Sequence, residues 1–360
     1  MLDVSRPATR ESSTSTKLPT IPLYDVKKEG PLALLDKDPN RLAAVVAEGR
    51  RQYGGLALRL GDHATWQWLT RNRNPYRDEI AAVAAHVSLP GVFLLNLSYE
   101  WSCTCGVGPD PSGEGSRMLR TLDWPMNGLG RNVVVAGQDG GAGPYYNVTW
   151  PGYVGVLTAM APGRYSAAIN QPPMHRFTGS CWFDWAINRT GVWRKSGLPP
   201  SHLLRRVFDE CRTYAEAKAM LADTPLCIPA FFTLSGAEPG EGCTIERLER
   251  RAAVHQAPAS ISNHWLAFDQ PGHDRGTDSR GRWTRMERVR DRAGDDFSWV
   301  VPPLLNETTR LAVIANAGRG LLKVQGREVD GPATRVFSLE ERRRGETGRT
   351  TLGPEPADRA

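Results

Sequence analysis

Apolar and polar positions follow two different rhythms on either side of residue 90. From 38 to 88, "DPNRLAAVVAEGRRQYGGLALRLG" and "TWQWLTRNRNPYRDEIAAVAAHV" place small and apolar residues at helical spacing, with a break near Pro75. Asp38, Pro39 and Asn40 are helix-start residues, so this stretch predicts a small helical unit. From 91 onward the runs are short and β-prone, beginning with "GVFLLNLSY" and "NVVVA". "YVGVLTAM" and "YSAAIN" flank "APGR", and "FFTLSG" and "CTIERLERRAAVH" flank "AEPGEG", which are two hairpin patterns. "TTRLAVIANAGRGLLKVQG" is a third, turning at Asn316 to Gly320. Between them "SHLLRRVFDECRTYAEAKAMLADT" is helical, with Leu203, Leu204, Val207, Phe208 and Cys211 as apolar positions. Strand pairs with helices grouped between them predict an α+β layered fold in place of alternating βαβ units.

The two ends differ from this body. Residues 1–20 and 336–360 are rich in Ser, Thr, Pro and charge, which predicts disordered tails. The 360 residues are 40% hydrophobic, enough for a substantial core. The net charge of +6 is dispersed among acids and apolar positions, with no zinc-finger spacing and no long basic tract. A nucleic-acid partner is therefore not expected. No stretch approaches the ~20 apolar residues of a membrane helix, and the N-terminus carries no apolar signal run. The expectation is a cytoplasmic protein without stable membrane insertion.

Six unevenly spaced cysteines do not make a disulfide scaffold, and Cys211, Cys227 and Cys243 are expected as buried thiols. The pair in "YEWSCTCGVG" is different. A metal site needs about four ligands, while His86 and His175 stand alone and no second cluster follows, so neither metal nor cofactor is expected. A disulfide across one intervening residue is geometrically poor. Downstream lies "LRTLDW", with Arg120 and Asp123. A strand, the turn "GPDPSGEGS" and a return strand would bring a cation and a carboxylate to a thiol. The guanidinium favours the thiolate. The carboxylate would oppose it, and so needs another task. An α-amino group, exposed by cutting the chain before the cysteine, supplies one: it titrates near ~7.7–8.0 and can serve as general base.

"LLNLSYEWSCTCGVG" and "MLRTLDWPMNGLGRN" together resemble the acid ceramidase and N-acylethanolamine acid amidase group of N-terminal-nucleophile (Ntn) hydrolases, relatives of the choloylglycine hydrolases and penicillin V acylases. "GYVGVLTAMAPGRYSAAINQPP", "FTLSGAEPGEGCTIER", "SISNHW" and "PPLLNETTRLAVIANAGRGLLKVQG" continue the resemblance in order, over about residues 30 to 330. It implies a four-layer αββα sandwich over 103–335, with 21–102 as a helical, α-subunit-like segment. It also implies a precursor that cuts itself at Ser102–Cys103, leaving two pieces together as an α/β heterodimer. Cys103 would be the nucleophile, Arg120 would lie beside its thiolate and Asp123 would bind the freed amine. Asn263 would donate to the oxyanion, and Asn170 would contribute chiefly its backbone N–H.

Two choices stay open. C-T-x-x-V maps onto Cys103, Thr104, Cys105, Gly106 and Val107, whereas counting forward from Glu100 without a gap selects Cys105. The resemblance also implies a last site arginine, for which Arg275, Arg280, Arg282 and Arg285 are the candidates; a helix starting near Asp278 or Ser279 puts Arg282 in its first turn, which makes it the preferred one. His255 and His264 are expected in structural roles.

The resemblance implies cleavage of a linear non-peptide amide through a thioester. Trp101, Trp124, Met126, Trp150, Tyr153, Met174, Phe177 and Trp182 are the apolar residues nearest these motifs and suit an apolar or aromatic acyl group. The alternatives are a related acyltransferase of the penicillin acyltransferase kind and a non-catalytic binding protein that keeps the fold.

Overall fold

In the computed structural model, which describes residues 18–98 and 100–341, the helical unit is preceded by a short strand. After β1 (Leu23–Asp25) come α1 (Ala33–Lys37), α2 (Pro39–Tyr53), α3 (Gly55–Arg71), α4 (Arg77–Val87) and α5 (Val92–Asn96). Asp38 opens α2 as predicted: its carboxylate accepts the Arg41 amide, and Pro39 occupies the first turn. Within the run expected as a strand, Val92–Asn96 is instead a helix. Asp62 on α3 accepts the Gly91 and Leu94 amides and so caps α5, a distant partner that period and propensity cannot show. Asn96 then ties α5 to the distant loop at 150–157, donating to Gly152 O and accepting from Val154 N.

Two sheets carry the rest. One contains β2 (Ser102–Pro109) and β3 (Ser116–Asp123) in a hairpin, and its order is β12-β2-β3-β14-β15. Here β12 is Ala259–Ile261, β14 is Thr309–Asn316 and β15 is Leu321–Glu328. Two short strands, β16 (Gly331–Pro332) and β17 (Phe337–Glu340), also pair with β15. The eight-stranded sheet runs β1-β4-β5-β6-β7-β9-β10-β11. Its further members are β4 (Val134–Gly140), β5 (Gly143–Thr149), β6 (Thr158–Ala161), β7 (Tyr165–Asn170), β9 (Ala230–Gly236), β10 (Gly242–Arg247) and β11 (Ala252–Gln256). The three predicted hairpins form as β6–β7, β9–β10 and β14–β15.

Alternation along each strand sorts the layers. Met118 and Leu122 on β3 and Val313 and Ala315 on β14 enter the core between the sheets. Their neighbours Leu119, Ala312 and Ile314 face outward, onto Met286 of α9 (Ser279–Val289). Gly106 admits this helix, because a Cβ there would lie 2.7 Å from the Met286 side chain. On the far side, α7 (Pro200–Glu210) and α8 (Tyr214–Asp223) cover the eight-stranded sheet with Leu203, Leu204, Val207, Phe208, Ala217 and Leu221. The result is helix, sheet, sheet, helix: the expected αββα sandwich.

Three further expectations need correction. The helical stretch 201–224 is two helices, because Thr213 and Glu216 form a capping box that starts α8 afresh. Residues 337–340, expected in a tail, are a strand, since β17 pairs with β15 through Leu322–Leu339 and Val324–Phe337, burying Phe337 and Leu339. Strand β1, inside the segment read as helical, pairs parallel to β4. The predicted tails at 1–17 and 342–360 lie outside the described residues; Pro19 accepts a hydrogen bond from the Arg335 amide. Among the described residues no helix is long and apolar enough to cross a membrane.

Candidate active site

The β2–β3 register places the pieces. Ser102 stands opposite Asp123, Cys103 opposite Leu122 and Cys105 opposite Arg120. Alternation then sends Cys103, Cys105 and Arg120 into the space between the sheets, while Thr104 and Asp123 face α9.

Arg120 is fully buried and oriented by backbone carbonyls. Its Nη1 donates to Leu157 O at 2.8 Å, and its Nη2 donates to Ile169 O at 3.1 Å. Nη2 also lies 3.1 Å from Cys103 Sγ. Burial pushes the Cys103 thiol up from its ordinary value, and the Arg120 guanidinium pulls it back. Cys105 has a different neighbour: its thiol donates to Asn170 Oδ1 at 3.0 Å. Burial pushes Cys105 up to about 12, so it stays protonated. Asn170 is held in turn by donating to Ile261 O and Ser262 O.

On the other face of the hairpin, Arg282 organises the backbone of Cys103. Asp278 accepts the Gly281 amide and starts α9 where predicted, with Arg282 in its first turn. Nη1 of Arg282 donates to Cys103 O at 3.0 Å and Thr104 Oγ1 at 2.8 Å, and lies 3.4 Å from Asp123 Oδ2. Nη2 donates to Asn263 Oδ1 at 2.9 Å, which also accepts the Cys103 N–H at 3.0 Å. Burial raises the Asp123 carboxyl and lowers the Arg282 guanidinium, and each is drawn back by the other's charge. Thr309, opposite Asp123 on β14, donates to Asp123 Oδ1 at 2.8 Å.

All six residues selected from the sequence thus converge on the Ser102–Cys103 junction or its hairpin. Of the competing arginines, Arg280 is exposed and Arg285 half-buried, while Arg275 donates to Pro172 O and its own carbonyl accepts from Arg282. The Nδ2 of Asn263, expected as an oxyanion donor, donates to Gln171 O at 2.6 Å. His264 bonds Ser279 Oγ and His255 bonds Glu246, both as structural links.

Sequence reasoning missed Thr104, Ser262, Ser279 and Thr309, whose hydroxyls fill the network around Cys103 and Asp123. It also missed Gln171, a buried amide whose Nε2 finds no partner among the described residues. Thr104, inside the cysteine motif, Gln171, beside Asn170, Ser262, beside Asn263, and Ser279, at the expected helix start, carried a positional signal; Thr309 did not.

Beside the junction, Trp101 packs on Trp124 with ring centroids 5.1 Å apart. Trp124, Met126, Leu129, Trp150 and Tyr153 form one wall of an apolar cavity of ≈ 60 Å³. Valines and leucines of α2, α4 and α5 form the other. Phe177 and Trp182 are 56% and 83% exposed, Trp182 on α6 (Cys181–Trp193). Met174 lies in β8 (Met174–His175), which pairs with β13 (Gly272–His273).

The helix–sheet–sheet–helix layering, with a cysteine at the head of a hairpin strand, is the architecture of the Ntn hydrolases. Over about half of its length the chain is similar in sequence to acid ceramidases and N-acylethanolamine acid amidases. It is 30% identical over 179 residues to the N-acylethanolamine-hydrolyzing acid amidase of Cavia porcellus, covering 48% of each chain. It is 26% identical over 223 residues to the acid ceramidase of Heterocephalus glaber, covering 56% of this chain and 54% of that one. The chain spans about half the length of the curated relatives it matches. No family model matches the sequence. Among solved structures, a Caenorhabditis elegans N-acylethanolamine-hydrolyzing acid amidase ortholog aligns with a TM-score of 0.47 and 21% identity, covering 61% of this chain and 93% of that one. The conjugated bile acid hydrolase of Clostridium perfringens aligns at 0.41 and 10%, covering 66% and 92%.

Proposed function

We propose that the chain is a self-processing cysteine amidohydrolase that cuts itself at Ser102–Cys103 and then hydrolyses a linear, non-peptide amide with an apolar or aromatic acyl group. The observation that carries this reading is the asymmetry of the two thiols. Cys103 has a guanidinium at its sulfur and a held backbone nitrogen and carbonyl, whereas Cys105 spends its proton on Asn170.

In the first reaction, Cys103 Sγ adds to the Ser102 carbonyl carbon, the Ser102–Cys103 C–N bond breaks, and the thiol proton ends on the Cys103 nitrogen. Water hydrolyses the resulting thioester, leaving a Ser102 carboxylate and a free Cys103 thiol. The new amine keeps its neighbour Asn263 and lies at the head of the hairpin where Asp123 stands. It takes the thiol proton as general base and passes it to the leaving nitrogen of the substrate. Water then clears the second thioester. Asn263, released from Gln171, supplies a side-chain N–H to the oxyanion.

The apolar cavity, walled by both segments of the chain, supports an apolar acyl group. Similarity to ceramide- and N-acylethanolamine-cleaving relatives supports the same class. Intact mass measurement and N-terminal sequencing test the cut, and fluorogenic N-acyl amides of graded chain length test the turnover. A folded chain that never splits, with Cys103 inert to iodoacetamide, overturns the proposal.

A further inference from the structure

We propose that Glu100 is a positioning residue for the cut at Ser102–Cys103, fixing the chain on the carbonyl side of the scissile bond by clasping two separate elements. This rests on the self-processing reading above and adds to it a residue whose side chain none of the steps just described uses.

The carboxylate of Glu100 is held at both oxygens. Oε2 accepts the hydroxyl of Tyr53, the last residue of α2, at 2.9 Å. Oε1 accepts Nη2 of Arg189, on α6, at 2.7 Å. Each arm is itself anchored. Tyr53 is pushed up to about 12 by burial and by the Glu100 charge, so its phenol remains a donor. The Arg189 guanidinium lies over the Trp185 ring, 5.4 Å from its centroid. Helices distant in sequence therefore meet at a residue just upstream of the junction.

The two sides of the bond are consequently held by different sets of groups. Downstream, Asn263, Ser262 and Arg282 hold the Cys103 nitrogen and carbonyl. Upstream, Trp101 is fully buried against Trp124, and beyond it Glu100 is clamped. A thiol attacking the carbonyl that precedes it must approach along one direction, and slack on the carbonyl side misaligns the attack. Misplacement of about 1 Å can cost on the order of 10²-fold in rate. The Glu100 and Arg189 side chains are about one-third exposed, and such pairs contribute little to stability. The clasp's effect on cutting should therefore exceed its effect on folding.

The test follows cutting of wild type, Glu100→Ala, Glu100→Gln, Tyr53→Phe and Arg189→Ala by intact mass against time and pH. Melting temperatures are taken on the same changes in a Cys103→Ala background, which cannot cut. Glu100→Ala should slow cutting by roughly 10- to 100-fold with the pH midpoint unmoved. Glu100→Gln, whose amide oxygen still accepts from a donor, should recover most of the rate, and each single-arm change should slow it less. Melting temperatures should stay close to that of Cys103→Ala. Cutting by Glu100→Ala at the wild-type rate, or slowing that merely tracks a fall in melting temperature, overturns the proposal. A folded wild type that does not cut overturns the self-processing reading itself, and is recognised before any Glu100 variant is compared.

Discussion

Arg120 stands across the β2–β3 ladder from Cys105, yet its Nη2 reaches the sulfur of Cys103, 3.1 Å away. Register and reach single out different cysteines. Removing the cation removes the larger of the two charges that offset burial at Cys103, the other being Arg282, so the thiolate becomes harder to form. Arg120→Gln should lower the iodoacetamide rate at Cys103 and move its pH midpoint upward, read by mass spectrometry across a pH series. An unmoved midpoint would show that the contact does not tune the thiol.

Cys103→Ala should abolish both cutting and amide turnover. Cys105→Ala should leave a chain that still cuts, with Cys103 as the new N-terminus on sequencing. Its cost is in stability, about 1–3 kcal/mol, because Asn170 Oδ1 loses a buried donor. A new chain beginning at residue 105 in the wild type would reverse the assignment.

Asn263→Ala should cost more in turnover than in binding. Losing an oxyanion donor lowers kcat by ~10²–10³-fold, while the substrate's apolar contacts remain. Steady-state kinetics on an already cut enzyme separates the two; a rise confined to KM counts against the donor role.

Gly276 has φ +68° and lies over the junction, so a Cβ there would sit 2.2 Å from Ser102 Oγ and 2.6 Å from Ser102 Cβ. Gly276→Ala should therefore slow cutting and destabilise the chain by about 1–2 kcal/mol from the left-handed backbone alone. Ser102→Gly removes both clashing atoms and should restore the cutting rate but not the backbone contribution. Failure of that rescue would place the defect elsewhere.

His202 is buried on α7, bonded through Nδ1 to Asn74 and set edge-on to Tyr76. Burial, with Arg205 nearby, pushes it down to about 3. The unfolded chain takes up this proton near ~6.5 and the folded chain does not, so stability falls as pH drops from there through about 3. His202→Gln should flatten that acid limb in urea melts at successive pH values. An identical limb in the variant would exclude His202 as its source.

The layers were legible in the sequence where period and turn chemistry agreed, as at Asn316–Gly320 and around Asp278. The site was legible wherever charge and sulfur were spaced along one hairpin. What escaped depended on partners far away in the chain. The α5 helix is set by Asp62, β1 by the edge of β4, and the hydroxyls of Ser262 and Thr309 by groups more than a hundred residues distant. Counting residues left Cys103 and Cys105 as alternatives, because which sulfur Arg120 meets depends on the reach of its side chain across the ladder.

Strand β1 gives the proposed cut an unusual topology. It belongs to the segment upstream of residue 102, yet it completes the edge of a sheet whose other strands all lie downstream. The same segment supplies half the lining of the apolar cavity. Hydrolysis of one peptide bond would then alter the connectivity of the molecule and leave its architecture in place, as in a split protein whose fragments complement each other. For the smaller fragment to leave, the sheet edge would have to unzip and the cavity would have to open to water.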